Sequence, residues 1–210
     1  MWRRGNEKHP AAKPRRPKPK RRYPPEVLTD AEVRALLDAC GQYRTTAIRN
    51  RALIAVLYRG GLRINEALAL YPKDIDLESG AIRVLHGKGD KPRTIGIDQG
   101  AIAILQSWLA VRGRIGVNGI HPVFCTRSGR AMTAGFVRRW FSQLARRAGI
   151  LKRVHAHGLR HTHAAQLRAE GVDIGIISKQ LGHASISTTA KYLDHIAPMA
   201  VVNTMRVRTW

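Results

Sequence analysis

HAHGLRHTHAA, residues 155–165, sets four histidines and one arginine into a stretch that reads as the start of a helix. Residues three and four apart share a helix face, so His157, Arg160 and His161 project together. Two histidines at that spacing suit zinc. Two features speak against a cation. Gly158 stands where an HExxH helix carries its glutamate, and Arg160 fixes a positive charge beside both rings. A helix start with unpaired N–H groups, His157 and Arg160 instead form a site for an anion. Which anion depends on the rest of the chain.

Charge gives the first indication. The 210 residues hold 37 Lys and Arg against 14 Asp and Glu, a net charge of +23. A compact core tolerates such self-repulsion best opposite a polyanion, which makes nucleic acid the expected partner. The hydrophobic share of 44% is enough for one real core plus a tail. Cys40 and Cys125 belong to no CxxC pair and read as packing residues in a reducing cytoplasm. The longest strongly apolar run, ALIAVLY at 52–58, is far short of the roughly 20 residues of a membrane span.

Residues 1–23 are expected to be a disordered basic arm. Arg3, Arg4, Lys8, Lys13, Arg15, Arg16, Lys18, Lys20, Arg21 and Arg22 face a single acid, Glu7, among prolines and almost no apolar residues. Such a segment cannot bury enough surface to fold alone, and it reads as an arm lying along DNA. Residues 24–197 read as one folded domain, and 198–210 as a C-terminal segment. Order begins at LTDAEVRALLDAC, where Thr29 and Glu32 make a capping box. Helical periodicity predicts further helices over 45–59, 64–70, 98–112, 132–148, 158–170 and 173–180, through SISTTAKYLDH, and over 198–208. Between them DIDL, AIRVLHG and PRTIGID read as short strands of a small antiparallel sheet. The fold class is α+β, mostly α-helical, with three strands.

Four glycine-marked breaks carry reactive residues. GGLRINEAL places Arg63 after Gly60–Gly61, with Glu66 one turn on. HGKGDKP puts Lys88 at a hairpin tip, and HGLRH supplies His157 and Arg160. LGHASISTTAKY brings His183 and, nine residues later, Tyr192. In this order they closely resemble the tyrosine recombinase (phage integrase) family, over about residues 25–197.

The resemblance implies a tyrosine-recombinase catalytic domain and a DNA strand transferase with a 3′-phosphotyrosyl intermediate. Attack on a phosphodiester needs its charged oxygens neutralised, and guanidiniums do this without losing a proton. Arg63 and Arg160 are the expected clamp and Tyr192 the nucleophile. A free phenol, with a pKa of about 10, needs help to ionise. The resemblance assigns that proton transfer to His157, protonation of the leaving 5′-oxygen to Lys88, and a hydrogen bond to the phosphate to His183. Glu66 is expected to brace the first arginine or a histidine, and His161 to pack behind them. Lys91 and Arg93 are assigned to DNA beside the basic arm. The scheme needs no metal and no cofactor, and no G-x-x-x-x-G-K-[ST] loop is present.

Double-stranded DNA is the expected partner, with a homotetramer on DNA and an accessory DNA-bending protein as family-implied companions. The family pattern also has a helical domain ahead of the catalytic one, where this chain has only the basic segment. Three other readings stay open at this point. They are a type IB topoisomerase-like enzyme, a catalytically silent DNA-binding regulator and a basic RNA-binding protein. The aromatic share of 6% offers little stacking surface for RNA.

Overall fold

The computed structural model describes residues 26–85, 92–197 and 199–209. The basic arm, with its assigned residues from Arg3 to Arg22, and the hairpin tip holding Lys88 and Lys91 lie outside the described residues.

The first helix, α1 (Asp30–Ala39), begins at the expected capping box. Thr29 Oγ1 accepts from the Glu32 amide at 3.2 Å, and Glu32 Oε2 accepts from the Thr29 amide at 2.7 Å. Helix α2 (Thr45–Arg59) is buried continuously from Ala52 to Tyr58 and packs against α4 (Gln99–Arg114) and α6 (Ala156–Ala169). A helix apolar all round belongs in the centre of a domain, and this one sits there.

After α3 (Ile64–Leu68), strands β1 (Ile75–Asp76), β2 (Ala81–Val84) and β3 (Arg93–Gly96) form an antiparallel sheet in the order β1-β2-β3. Ile82 faces Ile95 and Val84 faces Arg93, with Ile82, Val84 and Ile95 turned to the core. These strands are shorter than the sequence pattern suggested. Asp76 ends β1 by accepting from the amides of Glu78 at 3.0 Å and Ser79 at 3.3 Å, an Asx-type turn that competes with the ladder. The further helices among the described residues are α5 (Ala134–Arg147), α7 (Ile174–Leu181), α8 (Ile186–Ile196) and α9 (Ala200–Arg206).

Two apolar clusters hold the domain. The larger gathers Leu36, Leu53, Leu57, Trp108, Phe141 and Leu159; the smaller joins Ala164 of α6 to Ile177, Leu181, Leu193 and Ile196. Fully burying such a side chain stabilises by about 1.5–3 kcal/mol. Because α6 contributes Leu159 to one cluster and Ala164 to the other, the residues between them lie at the junction. Those residues are Arg160, His161, Thr162 and His163. Thr162 also anchors the chain entry, its Oγ1 accepting from the Leu28 amide at 3.0 Å.

Two buried arginines far from that junction have structural work. Arg49 donates to the Cys125 carbonyl at 3.0 Å, and Arg112 donates to the carbonyls of Val117 at 3.1 Å and Asn118 at 2.6 Å. Among the described residues no helix is long and apolar enough to cross a membrane.

Candidate active site

The first arginine is set by the end of α2. Gly61 adopts φ +62°, and a Cβ there would come within 2.7 Å of the His163 ring, so glycine alone fits. The turn delivers Arg63 to the start of α3, where Glu66 takes its main-chain N–H at 2.9 Å and its Nη1 at 2.7 Å. Arg93 reaches the same carboxylate from β3, Nη1 to Oε1 at 3.0 Å and Nη2 to Oε2 at 2.9 Å. Burial alone would raise the Glu66 pKa, but the hydrogen bonds from Arg93 and Arg63 overrule it and hold it down at about 2.

Arg160 is only 1% exposed. Its Nη1 donates to the Gly61 carbonyl at 2.6 Å and its Nη2 to the Leu181 carbonyl at 2.5 Å, binding α6 to the ends of α2 and α7. Nη2 also lies 3.3 Å from His183 Nε2. A guanidinium can only donate, so Nε2 accepts and Nδ1 carries the proton. That N–H faces Thr189 Oγ1 at 2.9 Å, and Thr189 is itself fully buried. Burial lowers the Arg160 pKa to about 10, with the Arg63 charge acting the same way. It remains a cation near neutrality.

Tyr192 arrives on α8. Its ring stacks on His161, centroids 5.1 Å apart at 24°, and meets His183 edge-on at 5.3 Å. His161 in turn meets the His157 ring at 4.3 Å. The Tyr192 hydroxyl is buried and makes no hydrogen bond of normal geometry among the described residues. Burial pushes its pKa up to about 12, while Arg160 and then Arg63 pull in the other direction. His157 keeps a solvent-exposed face. Desolvation by its neighbours, followed by Arg160, His155 and Arg63, lowers its pKa below the usual imidazole value. A neutral imidazole beside a clustered positive field suits a base working on a phenol.

Acid should loosen this arrangement. Burial, followed by the neighbouring His157, drives His161 down to about 3; burial and then Arg59 drive His163 down to about 4. An unfolded histidine takes up its proton near 6.5, so between about 6.5 and 4 the unfolded chain binds more protons than the folded one. The stability from keeping these rings neutral is complete above that range and is lost as the pH falls through it. Glu66, lowered to about 2, adds a further loss below the ordinary carboxylate pKa. The thermal midpoint should therefore fall steadily from pH 7 to pH 4.5, and His163→Phe should flatten the fall. A midpoint independent of pH over that interval would contradict the burial assigned to these rings.

The structure thus brings Arg63, Glu66, His157, Arg160, His161, His183 and Tyr192 to one place; Lys88 and Lys91 lie outside the described residues. Arg93, expected at DNA, has both terminal nitrogens held by Glu66, and its side chain is only 12% exposed. Among the described residues Glu66 bonds Arg63 and Arg93.

Two features escaped the sequence reading. Thr189, which orients His183, was marked only by its place in the threonine-rich turn. The other is the exposed basic surface of Arg127, Arg130, Arg138, Arg139 and Arg146, carried by α5 and the loop before it. Its signal was available: no Asp or Glu occurs between Asp98 and Glu170. Helix α5 packs against α1 and α3, and these arginines lie on its solvent-exposed side and on the loop before it. Among the described residues no three His, Cys, Asp or Glu side chains are grouped to hold a metal ion.

Known proteins share this arrangement of elements. A tyrosine recombinase XerC from Thermodesulfovibrio yellowstonii is 34% identical over 173 residues, 80% of this chain and 57% of the relative. The crystal structure of XerA recombinase matches with a TM-score of 0.77 at 30% identity, over 90% of this chain and 68% of that one. XerH site-specific recombinase, solved bound to palindromic difH substrate as a post-cleavage complex, matches with a TM-score of 0.71 at 29% identity. That match spans 88% of this chain and 54% of that one. The chain spans a little over half the length of the curated relatives it matches. The family model described as the phage integrase family covers residues 26–197. With that match over most of its length, the chain belongs to the phage integrase family of tyrosine recombinases.

Proposed function

We propose that this chain is the catalytic part of a site-specific DNA recombinase that cleaves and rejoins strands through a 3′-phosphotyrosyl intermediate. The observation that carries the reading is one contact series: Tyr192 lies between the rings of His161 and His183, and His183 in turn is bonded to the buried Arg160.

Tyr192 Oη attacks phosphorus while His157 takes the phenolic proton. The bond from phosphorus to O5′ breaks, and the 5′-hydroxyl leaves with a proton from Lys88. Arg63 and Arg160 neutralise the non-bridging oxygens as charge builds on them. His183 donates to the phosphate from Nε2, which requires Arg160 Nη2 to turn from the ring to the phosphate and the ring proton to move from Nδ1 to Nε2, with the Thr189 hydroxyl then donating to Nδ1. Attack by a 5′-hydroxyl on the phosphotyrosyl bond restores the backbone and releases Tyr192. Ester replaces ester in both steps, so no nucleotide cofactor is required. The exposed arginines of α5 and the arm 1–23 supply sequence-independent contacts to the duplex.

The test is incubation with a duplex nicked near its cleavage point, so that the leaving fragment diffuses away and the covalent complex accumulates. A chain that binds this DNA and never becomes linked to it would favour the silent-regulator reading.

Assembly on DNA as a ring of four belongs to the same proposal. Helix α9 and its flanks expose Met199, Val202, Met205 and Val207, a surface suited to a second copy of the chain. Light scattering of the DNA complex should give more than one protomer per site. A strictly one-protomer complex that still recombines DNA would contradict the ring.

A further inference from the structure

We propose that Arg93 is a positioning residue that ties the β2–β3 hairpin to the arginine clamp and the His183 turn; the proposal rests on the strand-transfer reading above. Its guanidinium lies fork-on-fork against Glu66 at 3.0 and 2.9 Å, with the two side chains only 12% and 3% exposed. The same two carboxylate oxygens take Arg63 Nη1 and the Arg63 main-chain N–H. A carboxylate offers about four acceptor positions, and here four donors occupy them. Arg93 cannot turn to a DNA phosphate without leaving a buried acceptor short of a partner.

Its stem touches a third element. Gly182, at φ +63°, precedes His183, and a Cβ there would come within 2.7 Å of Arg93 Cδ and Nε and 2.8 Å of Cζ. One side chain therefore meets the Arg63–Glu66 pair, the Gly182–His183 turn and its own strand. The far end of that strand is fixed independently. Gln180 accepts from the Gly96 amide at 3.1 Å and donates to the Gly96 carbonyl at 2.8 Å. With β3 held at both ends, Arg93 stands at a fixed point beside the clamp.

Charge adds a second effect. Two guanidiniums on one carboxylate leave a net positive unit facing the site. Without Arg93, Glu66 would cancel Arg63 and weaken its pull on a phosphate. Arg93 thus keeps Arg63 both oriented and electrostatically active.

The test compares wild type, Arg93→Ala, Arg93→Lys and Gly182→Ala on the nicked duplex. The dissociation constant is measured across a range of salt, and cleavage is measured in single turnover with all DNA bound. Arg93→Ala should leave the salt slope unchanged and slow cleavage on the order of 10²-fold, comparable to losing one preorganised electrostatic contact. Arg93→Lys should recover only part of the rate, because a lysine cannot fork onto a carboxylate. Gly182→Ala should slow cleavage in the wild-type background and slow it less on top of Arg93→Ala, where the clash with the Arg93 stem is gone and only the backbone strain at φ +63° remains.

A phosphate contact would instead lower the slope of log K against log salt by about 0.9 and leave bound DNA cut at the normal rate. That pattern, or fully additive losses in the Gly182 and Arg93 double variant, would overturn the tie. Thermal midpoints identify any variant that fails to fold; if Arg93→Ala does, Arg93→Lys and Gly182→Ala carry the comparison. Wild type that forms no covalent complex would refute the strand-transfer reading itself. Wild type that cuts, beside Arg93 variants that cut equally well, would refute the tie alone.

Discussion

Replacing Arg160 with lysine is expected to slow cleavage of bound DNA by a factor of about 10²–10³, the range for removing an oriented donor from a developing oxyanion. Charge is not what the change removes. Arg160 keeps its proton near neutrality even with its pKa lowered to about 10 by burial and by Arg63, and a lysine would also be a cation there unless burial neutralised it. What is lost is the planar fork. Three of the five guanidinium N–H groups face the Gly61 carbonyl, the Leu181 carbonyl and His183 Nε2. A lysine has three donors in all, and satisfying the two carbonyls leaves one for a phosphate. Arg160→Ala is the blunter variant. It strands two buried carbonyls at about 1–3 kcal/mol each, so loss of fold and loss of chemistry would be mixed. The lysine variant should bind DNA and stay folded while failing to cut. Single-turnover cleavage beside a thermal melt reads both, and wild-type cutting by Arg160→Lys would remove Arg160 from the clamp.

Tyr192→Phe should abolish the covalent complex and leave the fold intact. The ring contacts with His161 and His183 need no oxygen. Arg160 is the hydrogen-bonding group that bears on the hydroxyl, and it keeps the Gly61 and Leu181 carbonyls as partners when the oxygen is removed. The same burial makes the wild-type phenol a poor spontaneous nucleophile. With its pKa pushed up to about 12, only about one molecule in 10⁵ would carry the phenolate at pH 7. A base is therefore required, and it must be unprotonated to act. Desolvation and the charges of Arg160, His155 and Arg63 hold the His157 pKa below its ordinary value, so the imidazole stays neutral until the pH drops below that ordinary range. The acid limb of the cleavage rate should fall at lower pH than for a free histidine. A limb at or above the ordinary imidazole pKa would exclude His157 as that base.

Much of the fold was legible because local signals agreed with tertiary demands. The Thr29 capping box, the apolar length of α2 and the alternation in β2 each answer to one short stretch of chain. Boundaries were less legible. Helix α6 starts at Ala156, with His155 as its N-cap and no side-chain capping bond, a beginning no capping residue announces. β1 is shorter than its pattern because the carboxylate of Asp76 captures the amides of Glu78 and Ser79, a contest that periodicity does not register. Within the site, Arg63, Arg160 and Tyr192 could be named because their residue types and neighbours form a recognisable series. Arg93 reads as a DNA contact in the sequence because it is a basic residue near a basic hairpin, and its pairing with Glu66 is not legible there. Its partner, Glu66, lies 27 residues earlier and meets it only through the fold. Thr189 was missed for a like reason: one of two adjacent threonines is buried against His183, and which one depends on the rotation of α8.

The most direct test of the account is to trap the covalent complex on nicked DNA, digest both components and identify by mass spectrometry the residue that carries the nucleotide. The expected product is a phosphodiester between the Tyr192 oxygen and a DNA 3′-phosphate, with a free 5′-hydroxyl on the departed fragment. Attachment at any other residue, or a 5′-phosphate linkage, would contradict it.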